Sequence, residues 1–207
     1  MLQFKVLLTG FEPFQGEAQN SSAVAVSAFR GKRIAGHRIV TAVLPTEFGS
    51  SLQILCRLLV KHKPALVVCT GQANMRSVLS LERKAINIKH ARIPDNRGLK
   101  PVDEKVISAG PARYFSTLPL KATLAELKKA GVKTEISNTA GTFVCNYVFF
   151  GLMHELSTRK ALKRTRGGFI HLPLLPEQTL DSVVPVMTLE QMVMGLRLAI
   201  QTALQAK

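Results

Sequence analysis

The sequence predicts one α/β domain, residues 1–207, with a three-layer α/β/α architecture and a mostly parallel, twisted central sheet. Short apolar runs that end at glycine or proline alternate with segments of helical periodicity along nearly the whole chain. That alternation is typical of a parallel sheet covered by helices on both faces. An apolar fraction of 46% over 207 residues also indicates a substantial core rather than a disordered chain.

Three apolar runs in the first half of the chain are typical of buried strands. They lie at residues 4–9, 37–44 and 65–69. Asn20 and the two serines that follow it provide capping groups for a helix over residues 23–29. Apolar residues at i, i+3, i+4 and i+7 from Leu52 predict an amphipathic helix that extends up to Pro64.

The middle of the chain is less regular. A fourth apolar stretch, residues 81–88, carries charged side chains. Residues 89–111 are rich in proline, glycine and arginine without clear periodicity, which predicts a long loop with at most a short hairpin. A loop of this length within a compact domain is more often functional than not.

The second half of the chain resumes the alternation. A leucine stripe predicts a helix over residues 120–127 that stops before Gly131, and a strongly apolar helix is predicted over residues 143–156. Two further strands are predicted, at residues 133–137 and 168–172. Thr188 and Gln191 form a capping box that begins a C-terminal helix.

Charge and composition exclude several classes of protein. The 28 Lys and Arg residues against 13 Asp and Glu give a net charge of +15, a basic surface that is compatible with a nucleic-acid partner. No segment approaches 18 uninterrupted apolar residues, so we expect no membrane span. The first residues lack the long apolar core of a secretory signal, which favours a cytoplasmic location. Three cysteines at wide spacing do not form a disulfide framework.

Common binding and catalytic motifs are missing from the sequence. It contains no GxxxxGK[ST], no GxGxxG after the first strand and no GxSxG. The five histidines are scattered, and none is paired with another His or Cys at the spacing of metal ligands. We therefore expect neither a metal nor a cofactor.

One cysteine stands apart from the other two. Cys56 lies on the apolar stripe of its helix and Cys69 within a buried strand, so both are interpreted as core thiols. Cys145 follows a strand and a turn and begins the next helix, where the unpaired N–H groups and the helix dipole are expected to lower the pKa of a thiol. The simpler alternative is that Cys145 is one more small apolar residue of that helix.

A nucleophilic cysteine needs a base and an orienting acid. His171 lies near the end of the last predicted strand, although a lone histidine in a strand is often structural. Glu82 is a carboxylate within an apolar stretch, and the alternatives are that it faces solvent or pairs with Arg83 or Arg92. Together the three residues form a Cys–His–Glu set at the ends of predicted strands.

Four long motifs, in order, carry a resemblance to a known family. They are LLTGFEPF at 7–14, GQANMRSVLSLERKAIN at 71–87 with ARIPDN at 91–96, SNTAGTFVCNYVFFGLMH at 137–154 and GGFIHLPLLPEQ at 167–178. The sequence resembles the pyroglutamyl peptidase I family, the pyrrolidone-carboxylate peptidases, which are cysteine peptidases. The resemblance covers nearly the whole chain.

The resemblance implies a function and a site. It implies a peptidase that cleaves the amide bond after an N-terminal pyroglutamyl residue, on pyroglutamyl peptides as substrates, and association into a homo-oligomer such as a tetramer. It implies a catalytic triad of Glu82, Cys145 and His171. It implies that the substrate is bound by Phe11, Phe14, Gln72, Arg92 and Phe143.

The sequence departs from the family pattern in the loops around this site. Gln15 stands beside Gly16, and Asn74 and Met75 stand before Arg76, where the family usually has pairs of glycines. Lys89 and His90 stand where the family commonly has acidic residues. We expect these side chains to reshape the loops.

A second interpretation is a basic nucleic-acid-binding protein on a peptidase-like fold with lost or altered activity. Basic groups at residues 159–166 and 30–38 favour it. Neither group is interleaved with aromatic residues that could stack on bases, and the sequence contains no known motif for reading nucleic acid. A nucleic-acid partner is therefore the less favoured interpretation.

Overall fold

The structure, a computed structural model, describes residues 4–206; the two ends of the predicted domain, residues 1–3 and 207, lie outside this range. The strands are β1 (Lys5–Phe11), β2 (Arg33–Ile34), β3 (His37–Leu44), β4 (Leu66–Gln72), β5 (Leu79–Glu82), β6 (Lys84–Ile86), β7 (Arg113–Phe115), β8 (Thr134–Ser137) and β9 (Arg166–Leu172). The helices are α1 (Ser21–Ser27), α2 (Ser50–His62), α3 (Leu120–Lys129), α4 (Val144–Thr158) and α5 (Leu189–Gln205).

A central sheet of seven strands has the order β2-β3-β1-β4-β9-β5-β8. Its four middle strands, β3, β1, β4 and β9, run parallel. At one end β2 is antiparallel to β3, and at the other β5 is antiparallel to β9 while β8 runs parallel to β5. The predicted α/β fold with a mostly parallel sheet is confirmed, and its antiparallel strands lie at the two ends of the sheet.

Two hydrophobic cores lie on opposite faces of the sheet, and the side chains of each strand alternate between them. In β1, Val6 and Leu8 belong to the core covered by α1, α3 and α5, whereas Leu7 belongs to the core covered by α2 and α4. Strands β6 and β7 form a separate two-stranded sheet beside α4. Within the described range, no helix combines the length and apolar character needed to cross a membrane.

Two predicted capping residues, Asn20 and Thr188, are confirmed, and α1 begins at Ser21, two residues before its predicted start. Asn20 accepts the backbone N–H of Ser22 through Oδ1 at 3.0 Å, which begins α1, and Thr188 accepts the N–H of Gln191 through Oγ1 at 3.3 Å, which begins α5. Each bond satisfies a donor that the first helical turn leaves unpaired.

The middle of the chain differs most from the sequence prediction. The stretch at 81–88 is divided into β5 and β6, and the very short strands β2 and β7 had no periodic signal. Residues 89–111 form the predicted long loop, with a single bridge between Lys89 and Glu104 in the described range. Asp95 holds this loop in place, because its carboxylate accepts the N–H groups of Phe48, Arg97 and Leu99.

Candidate active site

The antiparallel pairing of β5 with β9 brings the predicted acid to the predicted base. Glu82 lies opposite Phe169, and Ser80 lies opposite His171. Residues two apart on a strand share a face, so Glu82 is the diagonal neighbour of His171. His171 Nδ1 is 2.8 Å from Glu82 Oε1, and both side chains are almost fully buried. Because a carboxylate only accepts, Nδ1 is the donor, which leaves Nε2 free to take a proton.

The predicted nucleophile reaches the same place from the helix side. A β-carbon added to Gly71 would lie only 2.7 Å from Cys145 Sγ, so the thiol lies directly over this glycine. Gly71 is the register partner of His171 in the parallel pairing of β4 with β9. The structure therefore brings all three predicted triad residues to one region of the sheet.

A buried asparagine fixes the first turn of α4, next to the cysteine. Asn146 is completely buried. Its Oδ1 accepts the N–H of Ile86 at 3.0 Å, and its Nδ2 donates to the carbonyls of Ile86 and Ile88 at 2.9 and 2.8 Å. Asn146 was not among the predicted site residues, although a polar amide in a strongly apolar helix is a signal for such a buried anchor.

The thiol is not activated in the way that the sequence predicted. Cys145 is half-buried, and the surrounding protein raises the pKa of its thiol to about 12, chiefly through loss of hydration and further through the nearby Glu82 carboxylate and the Cys69 thiol. The expected lowering by the helix dipole is wrong in direction, because loss of hydration opposes the charged form more strongly than a helix end of about half a charge supports it. At neutral pH the resting thiol keeps its proton, and a base must remove it.

The other two cysteines differ from each other in burial. Cys69 is fully buried, as predicted for a core thiol. Cys56 is only partly buried, although burial is still the main reason that its pKa is raised to about 11. Neither thiol lies over Gly71, the register partner of His171, as the Cys145 thiol does.

Arg76, which was not among the predicted site residues, also contacts Glu82, the predicted acid of the triad. Arg76 Nη2 lies 3.0 Å from Glu82 Oε1. The two alternative partners considered for Glu82, Arg83 and Arg92, are both exposed. Glu82 is therefore neither solvent-facing nor paired with them; it pairs with Arg76 and His171.

An open cleft of about 680 Å³ lies beside His171. Four of the predicted substrate-binding residues line it, namely Phe14, Gln72, Arg92 and Phe143. The rings of Phe14 and Phe143 are 6.2 Å apart between centroids, so a flat ring would enter by separating two aromatic faces that now pack together. Arg92 is exposed, and no described residue forms an ion pair with it.

Phe11, the fifth predicted binding residue, occupies a different position. The first strand was predicted to end at residue 9, whereas β1 extends far enough to include Phe11. Its side chain is 2% exposed and packs against Phe169, whose ring lies 4.8 Å from that of His171. Phe11 supports the imidazole through Phe169, and direct contact with substrate stays a prediction.

Gln72 lines the cleft but already uses its hydrogen-bonding capacity. Its Oε1 accepts from the N–H of Ser21 and from Gln178 Nε2, both at 2.8 Å. Its Nε2 donates to Glu17 Oε2 at 2.6 Å and to Asn74 Oδ1 at 3.0 Å. An amide has two donor hydrogens and two acceptor lone pairs, so a substrate could bind this side chain only by replacing one of these partners.

The departures from the family pattern are accommodated by local pairing. Gln15 has a φ of 55°, a conformation that favours glycine, and it lines the cleft. Asn74 also donates to Glu17 at 3.3 Å, which joins the loop after β4 to the loop after β1. In the long loop, Lys89 pairs with Glu104 at 2.7 Å and His90 with Asp103 at 2.9 Å.

The fold and the site define the class of protein. A buried carboxylate–imidazole pair, with a cysteine at the start of a helix and an open cleft beside them on an α/β sheet, is the arrangement of a cysteine hydrolase. The family model described as pyroglutamyl peptidase matches residues 4–206. This chain belongs to the pyroglutamyl peptidase family.

Individual relatives support the same assignment. The chain is 49% identical over 201 residues to a pyrrolidone-carboxylate peptidase of Erwinia tasmaniensis, covering 97% of this chain and 92% of the relative. It is 49% identical over 195 residues to a pyrrolidone-carboxylate peptidase of Bacillus licheniformis, covering 94% and 90%. The crystal structure of pyroglutamyl peptidase I from Bacillus amyloliquefaciens matches with a TM-score of 0.95 at 45% identity, covering 99% of this chain and 96% of that one. A mutant pyrrolidone carboxyl peptidase from Pyrococcus furiosus matches with a TM-score of 0.94 at 39% identity, covering 98% and 99%.

Proposed function

We propose that this chain hydrolyses the amide bond that follows an N-terminal pyroglutamyl residue, with Cys145 as nucleophile, His171 as general base and Glu82 as the carboxylate that orients it. The observation that carries the proposal is the 2.8 Å contact between His171 Nδ1 and Glu82 Oε1. His171 is also the register partner of Gly71, and the Cys145 thiol lies over Gly71. The family membership and the names of the relatives support the same reaction.

The first half of the reaction is acyl transfer. His171 Nε2 takes the thiol proton as Cys145 Sγ attacks the pyroglutamyl carbonyl carbon, because the raised pKa keeps the resting thiol neutral. Glu82 accepts from Nδ1 and stabilises the imidazolium that results. The oxyanion is stabilised by backbone N–H groups in the first turn of α4, with Arg92 on the cleft wall as a further donor. His171 then gives its proton to the leaving amine, and the C–N bond breaks.

The second half regenerates the enzyme. Water attacks the thioester while His171 takes one of its protons, and the C–S bond breaks as that proton returns to the cysteine sulfur. The products are free pyroglutamate and a peptide shortened by one residue. These reaction steps need no group other than the three proposed triad residues, the donors around the oxyanion and water.

The cleft explains the selectivity that we propose. A pyroglutamyl residue has a flat lactam ring and no ammonium group, so it suits a site with two aromatic side chains, Phe14 and Phe143. A free N-terminal glutamine would bring a charged ammonium into the same space, and that charge would lose its hydration. Phe11 and Gln72 are proposed to act mainly by holding the imidazole and the cleft loops in place.

The remaining parts of the proposal concern partners and location. We propose pyroglutamyl peptides as substrates, a homo-oligomer such as a tetramer, and a cytoplasmic location, which the three free cysteines support. The alternative of a nucleic-acid-binding protein is not supported by the comparisons. The basic run at 159–166 also has structural partners, since Arg159 pairs with Glu155 and Arg166 donates to the carbonyls of Ala203 and Ala206.

A substrate panel tests the proposal. Wild-type protein should release a fluorescent amine from its pyroglutamyl amide and leave the prolyl and glutaminyl amides intact. Cys145→Ser should lower kcat/KM by at least about 1,000-fold, the range seen when a nucleophile is lost from a triad. Cys56→Ser is the matched control and should stay within about threefold of wild type, which is under 1 kcal/mol. An inactive wild type, or an active Cys145→Ser variant, would contradict the assignment.

A further inference from the structure

Arg76 contacts three separate segments of the chain around the candidate site with one side chain. Its Nη2 lies 3.0 Å from Glu82 Oε1 at the end of β5 and donates to the carbonyl of Thr139 at 2.9 Å. Its Nη1 lies 3.0 Å from Glu135 Oε1 on β8. The planar guanidinium group presents donors in fixed directions, so these contacts also fix its orientation.

The contact with Glu82 supplies a charge that the site needs. Glu82 is 0% exposed, and a buried carboxylate is tolerated only with a cationic or hydrogen-bonding partner. His171 carries a full positive charge only while it holds the thiol proton, whereas an arginine in a protein is always charged. Arg76 is therefore the permanent partner of this carboxylate through the reaction.

The ion pair with Arg76 and the hydrogen bond from His171 are made to the same carboxylate oxygen. Arg76 and His171 each contact Oε1, whereas Oε2 has no hydrogen-bond partner within the described range. Without Arg76, the imidazole would be the only polar partner of this carboxylate among the described residues. The guanidinium charge therefore helps to hold Oε1 on the side of His171.

The contact with Thr139 connects the acid to the nucleophile. Residues 138–142 form the turn that leads directly into α4, and Ala140, Gly141 and Thr142 line the cleft. The same guanidinium that orients Glu82 therefore also supports the segment that places Cys145. Glu135, the second carboxylate that contacts Arg76, is itself held in place, because its Oε1 also accepts the hydroxyl of Ser80 at 2.7 Å.

We propose that Arg76 is a positioning residue of this peptidase, which fixes Glu82 against His171 and couples that pair to the turn before Cys145. This inference rests on the proposed roles of Glu82, Cys145 and His171. It assigns Arg76 an effect on the chemical step, in addition to its place on the cleft wall.

The test uses three variants and two readouts. Arg76→Met removes the charge and all three contacts, and Arg76→Lys keeps the charge but not the fork geometry. Arg83→Met is the matched control, because Arg83 is the exposed neighbour of Glu82. The readouts are kcat and KM on a pyroglutamyl amide, and the rate at which iodoacetamide alkylates Cys145 in the absence of substrate.

We expect Arg76→Met to lower kcat by about 10- to 100-fold, the range for partners that orient a functional histidine, with KM changed by less than about threefold. The alkylation rate should fall as well, Arg76→Lys should recover part of both, and Arg83→Met should match wild type. A folded Arg76→Met variant with wild-type kcat would overturn the inference, as would a loss confined to KM. If Arg76→Met does not fold, a fully active Arg76→Lys variant would overturn it.

The two readouts separate this inference from the proposed function. Should the wild type cleave no pyroglutamyl amide, the alkylation rates alone still show whether Arg76 controls Cys145. Should Cys145→Ser be inactive while Arg76→Met behaves as wild type in both assays, the proposed function stands and the role of Arg76 fails.

Discussion

Gly71 has no side chain at the point where the nucleophile lies, and replacing it with alanine tests the site geometry directly. The added β-carbon would lie 2.7 Å from Cys145 Sγ and 3.0 Å from Phe169 Cζ, whereas ordinary contact begins at 3.4 Å. The sulfur must therefore move by about 0.7 Å, the difference between 3.4 and 2.7 Å. The backbone of Gly71 is not in the left-handed region, so the clash with these side chains is the main effect.

A shift of this size should appear in the chemical step. The first turn of α4 is anchored through Asn146, so the sulfur cannot follow by a simple movement of the helix. Misplacing a reacting atom by about 1 Å costs on the order of 100-fold in rate. We expect Gly71→Ala to lower kcat/KM for a pyroglutamyl amide by about 10- to 100-fold, equivalent to roughly 1.4–2.7 kcal/mol.

A second glycine provides the control for a general packing effect. A β-carbon at Gly195 would lie 2.1 Å from Leu79 Cδ1, in the core on the opposite face of the sheet. Gly195→Ala should lower the thermal unfolding midpoint through a strain of about 1–3 kcal/mol and keep the kcat/KM of the folded protein. A folded Gly71→Ala variant with wild-type kcat/KM and a wild-type rate of Cys145 alkylation would refute the geometry.

Two further predictions concern the cleft and the buried thiol of Cys69. Phe143→Ala should raise KM by about 10-fold with a smaller change in kcat, because it removes one of the two aromatic faces for the lactam; steady-state kinetics with an unchanged KM would contradict this. The pKa of Cys69 is raised by burial from 9.0 to about 12, so its contribution to stability is complete below about pH 9 and is lost as the pH rises toward 12. At pH 10 the loss is roughly 1 kcal/mol, because the free energy of unfolding falls by about that amount for each pH unit above the pKa of the unfolded thiol. In urea unfolding, Cys69→Ala should therefore lose less stability between pH 7 and pH 10 than wild type does; equal losses would contradict this.

The three proposed triad residues can be singled out from the sequence because of the position that each occupies. Glu82 is a charge in an apolar stretch, Cys145 follows a strand and a turn, and His171 ends an apolar strand. What the sequence could not show is how they meet. Glu82 reaches His171 only because β5 runs antiparallel to β9, and strand direction depends on the packing of the whole sheet.

Other features of the site depend on tertiary structure that local patterns do not report. Arg76 contacts residues 6, 59 and 63 positions away in the chain, at Glu82, Glu135 and Thr139. The raised pKa of Cys145 comes chiefly from burial by segments distant in sequence, which a helix-end argument does not include. Phe11 was assigned to a loop because Gly10 ends the apolar run, but pairing with β3 continues as far as Leu44.

The charge of +15 is a property of the surface rather than of the chemistry. The buried charged groups near the thiol are the Glu82 carboxylate and the His171 imidazole, and the half-buried guanidinium of Arg76 pairs with the carboxylate. Several of the basic residues outside the site have structural partners, such as Lys89 with Glu104. The proposed reaction therefore depends on a few groups at the site and not on the overall basic character of the chain.

An affinity label can show whether Cys145 is the nucleophile for pyroglutamyl substrates. Wild-type protein is treated with a pyroglutamyl chloromethyl ketone until activity is lost, then digested and analysed by mass spectrometry. We predict one label per chain, on Cys145, with inactivation slowed by a competing pyroglutamyl amide. Label on Cys56 or Cys69, or loss of activity while Cys145 stays unmodified, would contradict the claim.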